Sequence, residues 1–195
     1  ISASSTRRFF DEDFVSAGNI LIEAEEEIIL GEITTNIIFP IEADIDVNGS
    51  AGNISIQSSS NTVVLQSIDA STSGSEVGNG GNVIIEAQGN IDFESINTES
   101  GETGSGGDVT VTSRRGFVLG TSTFPSERTG EAATISSAGE TGNGNIQITH
   151  TGGQRGVPFV VGPDVENNGT RGVITTGEYT IPEGSSFPES VTRGD

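Results

Sequence analysis

Gly52-Asn53-Ile54-Ser55-Ile56 places a glycine and an amide ahead of two aliphatics separated by one residue. The same order returns as Gly18-Asn19-Ile20-Leu21-Ile22, Gly81-Asn82-Val83-Ile84-Ile85, Gly107-Asp108-Val109-Thr110-Val111 and Gly144-Asn145-Ile146-Gln147-Ile148. The glycines are 34, 29, 26 and 37 residues apart, and recurrence at such periods is the signature of a repeat architecture. Strict alternation after each glycine is the pattern of a strand with one face turned inward.

Two further patches follow each copy. The second is Ile28-Ile29-Leu30, Val63-Val64-Leu65, Ile91-Asp92-Phe93, Phe117-Val118-Leu119 and, after an extension, Phe159-Val160-Val161. The third begins with Ile33, Ile68, Ile96, Ile135 or Ile174 and continues in small or polar residues. Gly, Ser, Thr and Asn fill the joints, where tight turns need them. Three strands and three corners per repeat predict an all-β chain, a parallel β-helix of about five triangular coils starting near residues 18, 52, 81, 107 and 144, with loop insertions. At a strand spacing of about 4.8 Å the coils span roughly 24 Å. A helical reading fails for lack of a 3.6-residue apolar stripe, and an antiparallel sandwich has no need of one patch order in every copy.

Stacking predicts which residues meet. Ile33, Ile68, Ile96, Ile135 and Ile174 form one core column, and Ile20, Ile54, Val83, Val109 and Ile146 a second. Asn19, Asn53, Asn82, Asp108 and Asn145 form a corner ladder of side chains linking coil to coil. Asp108 is its odd member, expected to need a proton, a water or a cation beside it. Insertions fall between patches, where a solenoid extrudes loops without disturbing its core. They are Asn36 to Ser50, Thr121 to Ala133, Pro158 to Gly172 and Tyr179 to Pro188. Both ends read as cut from a longer array: Ile1-Ser2-Ala3-Ser4 matches a third patch, and Gly194-Asp195 the opening of a sixth repeat. Arg7-Arg8-Phe9-Phe10 with Phe14, and the Phe187-Pro188 region, are the candidate shields of the two edges. Residues 1–195 are thus expected to be a single β-helix segment of a longer repeat protein.

The 195 residues carry a formal charge of −20, every basic residue is arginine, and there is no Cys or Met. Such a surface repels phosphate backbones and anionic lipid, which argues against nucleic-acid binding and membrane attachment. No apolar run is long enough for a membrane-inserted helix. Missing thiols are compatible with an exposed, oxidising location.

The chain resembles the filamentous-haemagglutinin-like exoproteins of two-partner secretion. The resemblance rests on Gly52-Asn53-Ile54-Ser55-Ile56, Ser67-Ile68-Asp69-Ala70-Ser71 and Gly78-Asn79-Gly80-Gly81-Asn82-Val83. Pro158-Phe159-Val160-Val161-Gly162, Asn168-Gly169-Thr170, Ile174-Thr175-Thr176-Gly177 and Ser186-Phe187-Pro188 are similar to runs in the long cyanobacterial form, some members of which carry a CHAT protease domain elsewhere. The resemblance implies a right-handed coil, export through a dedicated outer-membrane transporter and a location outside the cell or on its outer surface. It transfers no protease here, since no Cys is present to serve as nucleophile.

Chemistry is sparse. The outward positions of the first strands, Leu21, Ser55, Ile84, Thr110 and Gln147, hold no acid/base pair, and the nearest two-acid arrangement for a glycosidase is Asp69 with Asp92. Glu23, Glu25, Glu26 and Glu27, or Glu42 with Asp44 and Asp46, offer oxygens to Ca²⁺; a solvated acidic rim is the competing reading. His150, the sole histidine, reads as a surface residue, and Arg114-Arg115 as an exposed pair offsetting local acidity. Threonines at 110, 112, 149 and 151 do not recur in all coils, which disfavours an ice-binding array. The expectation is a non-enzymatic, cofactor-free surface protein acting as an adhesive stalk or spacer, its loops contacting carbohydrate or other surface ligands. The alternatives are a carbohydrate-active β-helix and a calcium-stabilised adhesin.

Overall fold

The computed structural model describes residues 14–36, 48–72, 78–188 and 190–193. They are almost entirely strand and turn, the exception being a single 3-10 turn at Gly153–Arg155. The strands form three main sheets, visited in the same rotation on successive passes of the chain.

The first sheet stacks Ile20–Ala24, Ile54–Ser58, Val83–Ala87, Val109–Ser113 and Ile146–Thr149, all parallel and in register. The second stacks Ile28–Leu30, Val63–Leu65, Ile91–Phe93 and Val118–Gly120. In the third, Ile33 pairs with Ile68, Ile68 with Ile96, Ile96 with Ile135 and Ile135 with Ile174. All five of these isoleucines are buried, as are Ile20, Ile54, Val83, Val109 and Ile146 on the first sheet. Side chains from all three sheets share one apolar core. This parallel, three-sheet arrangement is compatible with a β-helix or solenoid.

Aliphatic columns suit this arrangement because each branched side chain meets its own kind one rung away, and Val and Ile are stiff at χ1. Corners set the second condition. A Cβ added at Gly52 would lie 2.2 Å from the carbonyl oxygen of Gly18, one at Gly81 2.0 Å from that of Gly52, and one at Gly107 2.2 Å from that of Gly81. Backbone passes over backbone at these corners, and only glycine leaves room.

Two expected registers are corrected. In the fourth pass the strand is Val118–Gly120 rather than Phe117 to Leu119, since Ile91 pairs with Val118. The turn from Ser113 to Val118 holds one residue more than that from Ala87 to Ile91. In the fifth, the strand stacked on Val118–Gly120 is Gly169–Thr170, and Phe159–Val161 lies one rung beyond it. Gly169 has φ +144°, and a Cβ there would meet the Val160 carbonyl oxygen at 1.8 Å, so the rung can be inserted only with glycine.

Antiparallel strands appear beside the last parallel ones. Ser190–Arg193 pairs with Ile146–Thr149, Ser186–Phe187 with Phe159–Val161, and Thr180–Ile181 with Val173–Thr175. The edge of Ile146–Thr149 that a sixth parallel strand would use is thereby occupied. Gly194-Asp195, residues 1–4 and Arg7-Arg8-Phe9-Phe10 lie outside the described residues. Of the insertions, Thr121 to Ala133 contributes Phe124–Pro125, paired antiparallel with Ala132–Ala133, whereas most of Asn36 to Ser50 is not described.

Gly81→Ala is expected to lower stability by about 3 kcal/mol, the upper range of overpacking. Ile96→Ala is expected to cost about 2–5 kcal/mol through loss of burial and a cavity. Urea unfolding followed by circular dichroism reads both; an unchanged midpoint for Gly81→Ala would contradict the close corner packing.

Candidate functional site

Two features stand out from the stacked strands: a ladder of polar side chains at one corner and a cleft at the far end of the first sheet.

At the ladder, Asn19 Oδ1 accepts the backbone N–H of Asn53, Asn53 Oδ1 that of Asn82, Asn82 Oδ1 that of Asp108, and Asp108 Oδ1 that of Asn145, each at 2.8 Å. All five residues are exposed. The next residue completes each link: Ile20, Ile54, Val83 and Val109 donate their N–H to the carbonyl of the ladder residue one pass on. The links therefore run from side chain to backbone, not from amide to amide. This corrects the view of Asp108 as needing help. The position uses an acceptor oxygen only, which a carboxylate supplies as well as an amide does, and Asn145 Nδ2 adds a contact of 3.4 Å to the same oxygen.

Buried hydroxyls brace this corner from inside. Thr35, Thr98 and Ser137 donate to the carbonyls of Gly52, Gly107 and Gly144 at 2.7 to 2.8 Å.

The cleft encloses about 470 Å³ and is lined by Glu23, Glu25, Gln57, Glu86, Gln88 and Arg114, among others. Glu23, Gln57 and Glu86 occupy one outward column, in register on three successive strands. Arg114 Nη2 sits 3.1 Å from Glu86 Oε2. That pair is exposed, so it contributes less than about 1 kcal/mol, but it shows that Arg114 offsets local acidity. Beside this column the same face presents Leu21, 66% exposed, and Ile84, 39% exposed.

The remaining candidates are scattered. Asp69 lies on the third sheet, where Oδ1 accepts from the Ser71 N–H and hydroxyl and Oδ2 from Asn36 Nδ2. Asp92 lies on the second sheet, its register neighbours being Val64 and Leu119. The two acids thus sit on different sheets. Burial among these neighbours raises the Asp92 carboxyl above its ordinary range. Glu42, Asp44 and Asp46 lie outside the described residues. Among the described residues no three Asp, Glu or His side chains gather as a metal site, and no helix is long and apolar enough to cross a membrane.

His150 is a correction: it is buried, not a surface residue. Its alternation in Ile146–Thr149 turns it inward after Ile148, and its ring centroid lies 5.7 Å from that of Phe159. Glu99 escaped the sequence reading altogether. It is 3% exposed, with Oε1 accepting from the Ser126 and Ser136 hydroxyls at 2.5 Å and Oε2 from the Glu127 N–H at 3.1 Å. It ties the insertion carrying Phe124–Pro125 to the third sheet. The only signal was a carboxylate where the other passes carry Asn36, Ser71, Ala138 and Gly177.

Compared with family models, with curated proteins and with solved structures, the chain matches none.

Asn82→Ala is expected to cost about 1 kcal/mol by leaving the Asp108 N–H without its acceptor, and Asp108→Asn to be close to neutral. Equal losses from both would contradict an acceptor-only ladder. Asp92→Asn is expected to stabilise at pH 7 by less than about 1 kcal/mol, because partial exposure screens the effect. The native carboxyl holds its proton more tightly than the unfolded one, so ionisation costs stability and the gain fades as pH falls toward the ordinary carboxylate range. Urea midpoints from pH 3.5 to 7 measure it.

Proposed function

We propose that this chain is a non-enzymatic length of a secreted, cell-surface protein, a rigid stalk or spacer that holds its inserted loops away from the cell. In this reading the three sheets close into a right-handed triangular β-helix, and residues 1–195 form a single segment of it. The observation that carries the proposal is the register: four or five strands stack in each sheet over one apolar core, with a corner bond of the same length at each step of the ladder. A structure built this way gains length by adding rungs and presents loops without altering its core. The resemblance to two-partner-secretion exoproteins supplies the partner, an outer-membrane transporter, and the location outside the cell.

A second reading, a carbohydrate-binding or carbohydrate-active groove, draws support from the cleft. Glu23 and Glu86 stand two strands apart, about 10 Å between backbones, close to the separation of paired acids in inverting glycosidases. Gln57 between them offers both donor and acceptor groups.

The spacer reading is tested by duplicating residues 81–106, one full pass. The expected product folds cooperatively, keeps its thermal midpoint, and is longer by about 5 Å in small-angle scattering. Loss of cooperative unfolding would overturn the modular stalk. Polysaccharide cleavage by the intact chain, abolished in Glu23→Gln and Glu86→Gln, would replace it with the groove reading. A midpoint raised by calcium and lowered by chelator would favour a calcium-stabilised adhesin.

A further inference from the structure

His150 Nε2 is the one buried side-chain nitrogen or oxygen among the described residues without a hydrogen-bond partner. Its other nitrogen explains why. Asn168, itself buried, accepts the Val118 N–H at Oδ1 (2.9 Å) and donates from Nδ2 to the Val157 carbonyl (2.8 Å). These two bonds fix the amide, and its second Nδ2 proton points to His150 Nδ1 at 3.1 Å. Nδ1 must therefore accept, which leaves the proton on Nε2, buried without an acceptor, in a ring that packs beside Phe159. The imidazole is held neutral and in a single tautomer.

A second proton has no place here. It would set an Nδ1–H against the Asn168 NH₂, and turning the amide over would set that NH₂ against the Val118 N–H instead. We propose that His150 and Asn168 form a proton-sensitive latch: neutral, it holds the turn of residues 151–157 against the stacked strands, and protonation of the ring releases that turn while the sheets, Phe159–Val161 included, stay folded. Asn168 thus bonds the fourth pass, the turn and the imidazole together.

The turn of residues 151–157 is poised for such a release, whereas Phe159 and Val161 beyond it are fully buried in a strand paired on both sides. The turn leaves the first sheet through Gly152, Gly153 and Gly156, all at positive φ between 60° and 67°, and its hold on the preceding turn includes a Thr151 hydroxyl contact with the Gly116 carbonyl at 3.5 Å. The charged groups on the segments around the ring include Arg114 and Arg115 in that preceding turn, Arg155 in the 3-10 turn, Asp164 and Glu166 ahead of Asn168, and Arg193 on the strand paired with Ile146–Thr149. Arg114, Arg115, Arg155, Asp164 and Glu166 are exposed, and none of these five bonds the imidazole. Burial is the cause that lowers the readiness of the ring to take a proton. The unfolded or released ring binds protons more readily, so the closed form is fully stable above the ordinary histidine range and weakens as pH falls below about 6.5.

Because His150 is the sole histidine, ¹⁵N NMR of the imidazole in the intact chain reads the latch directly. At pH 7.5 the expected spectrum is that of the Nε2–H tautomer, with a titration midpoint below 6.5. Hydrogen exchange of amides 151–157, corrected for intrinsic rates, is expected to accelerate by up to about tenfold per pH unit below 6.5, while amides of Val83–Ala87, Val109–Ser113 and Phe159–Val161 stay protected. His150→Phe, which keeps a ring against Phe159 without a titratable nitrogen, should abolish the acceleration. Glu189→Gln, altering the residue next to Ser190, should leave it intact. An Nδ1–H tautomer, a midpoint at or above 6.5, loss of the response in Glu189→Gln, or the same acid response in a folded His150→Phe would overturn the latch. If His150→Phe does not fold, the tautomer and midpoint of the unaltered chain decide alone.

Discussion

Everything in this structure depends on how closely one corner can lie over the next. At Gly52, Gly81, Gly107 and Gly144 a Cβ would fall 2.0 to 2.2 Å from the carbonyl oxygen of the glycine one pass earlier. With no side chain in the way, the corners approach to strand spacing, and that distance sets the rest. It brings the ladder oxygen to the next backbone N–H and the aliphatic columns into contact. A bulkier corner would push both out of register together, because a rung shares its backbone with the strands on either side.

The stack also explains where variation is tolerated. Each pass requires a corner, three short inward-facing strands and little else, so turns of different length are absorbed between them. One added residue before Val118 moves a strand boundary without moving the core. The displaced fifth pass is a larger version: Gly169–Thr170 takes the rung beside Val118–Gly120, and Phe159 and Val161 remain fully buried one layer further on. Two buried polar side chains secure the excursions that result. Glu99 holds one through two hydroxyls and an N–H, and Asn168 holds the other through two backbone groups and the imidazole. Each is a buried polar group whose cost is met by hydrogen bonding, and the one unmet buried side-chain nitrogen or oxygen among the described residues, His150 Nε2, stands beside the second.

Glu23, Gln57 and Glu86 stand five residues after Gly18, Gly52 and Gly81, a regularity of the one-dimensional pattern, although the sequence drew attention only to Glu23, as a possible calcium ligand, and the strand register is what showed the column. The partnering of Arg114 with Glu86 was not accessible from that pattern. It depends on a turn of one pass folding back over the strand of another. Asp69 and Asp92 come from adjacent passes but from the third and second patches respectively, and the corner between those strands puts them on different sheets.

By itself the sequence determined the all-β character, the parallel stacking and the order of strands in each pass, because those follow from spacing and alternation that repeat along the chain. Only the tertiary structure decided what happens where the repeat is broken. His150 falls six residues after Gly144, the offset at which Ser58, Ala87 and Ser113 are buried, yet its partners, the Phe159 ring and the Asn168 amide, come from the displaced fifth pass, which no periodic pattern specifies. Likewise the rung beside Val118 is taken by whichever segment can satisfy its N–H and pass close to Val160. Gly169 and the Asn168 amide do both, through contacts between residues as many as 50 positions apart.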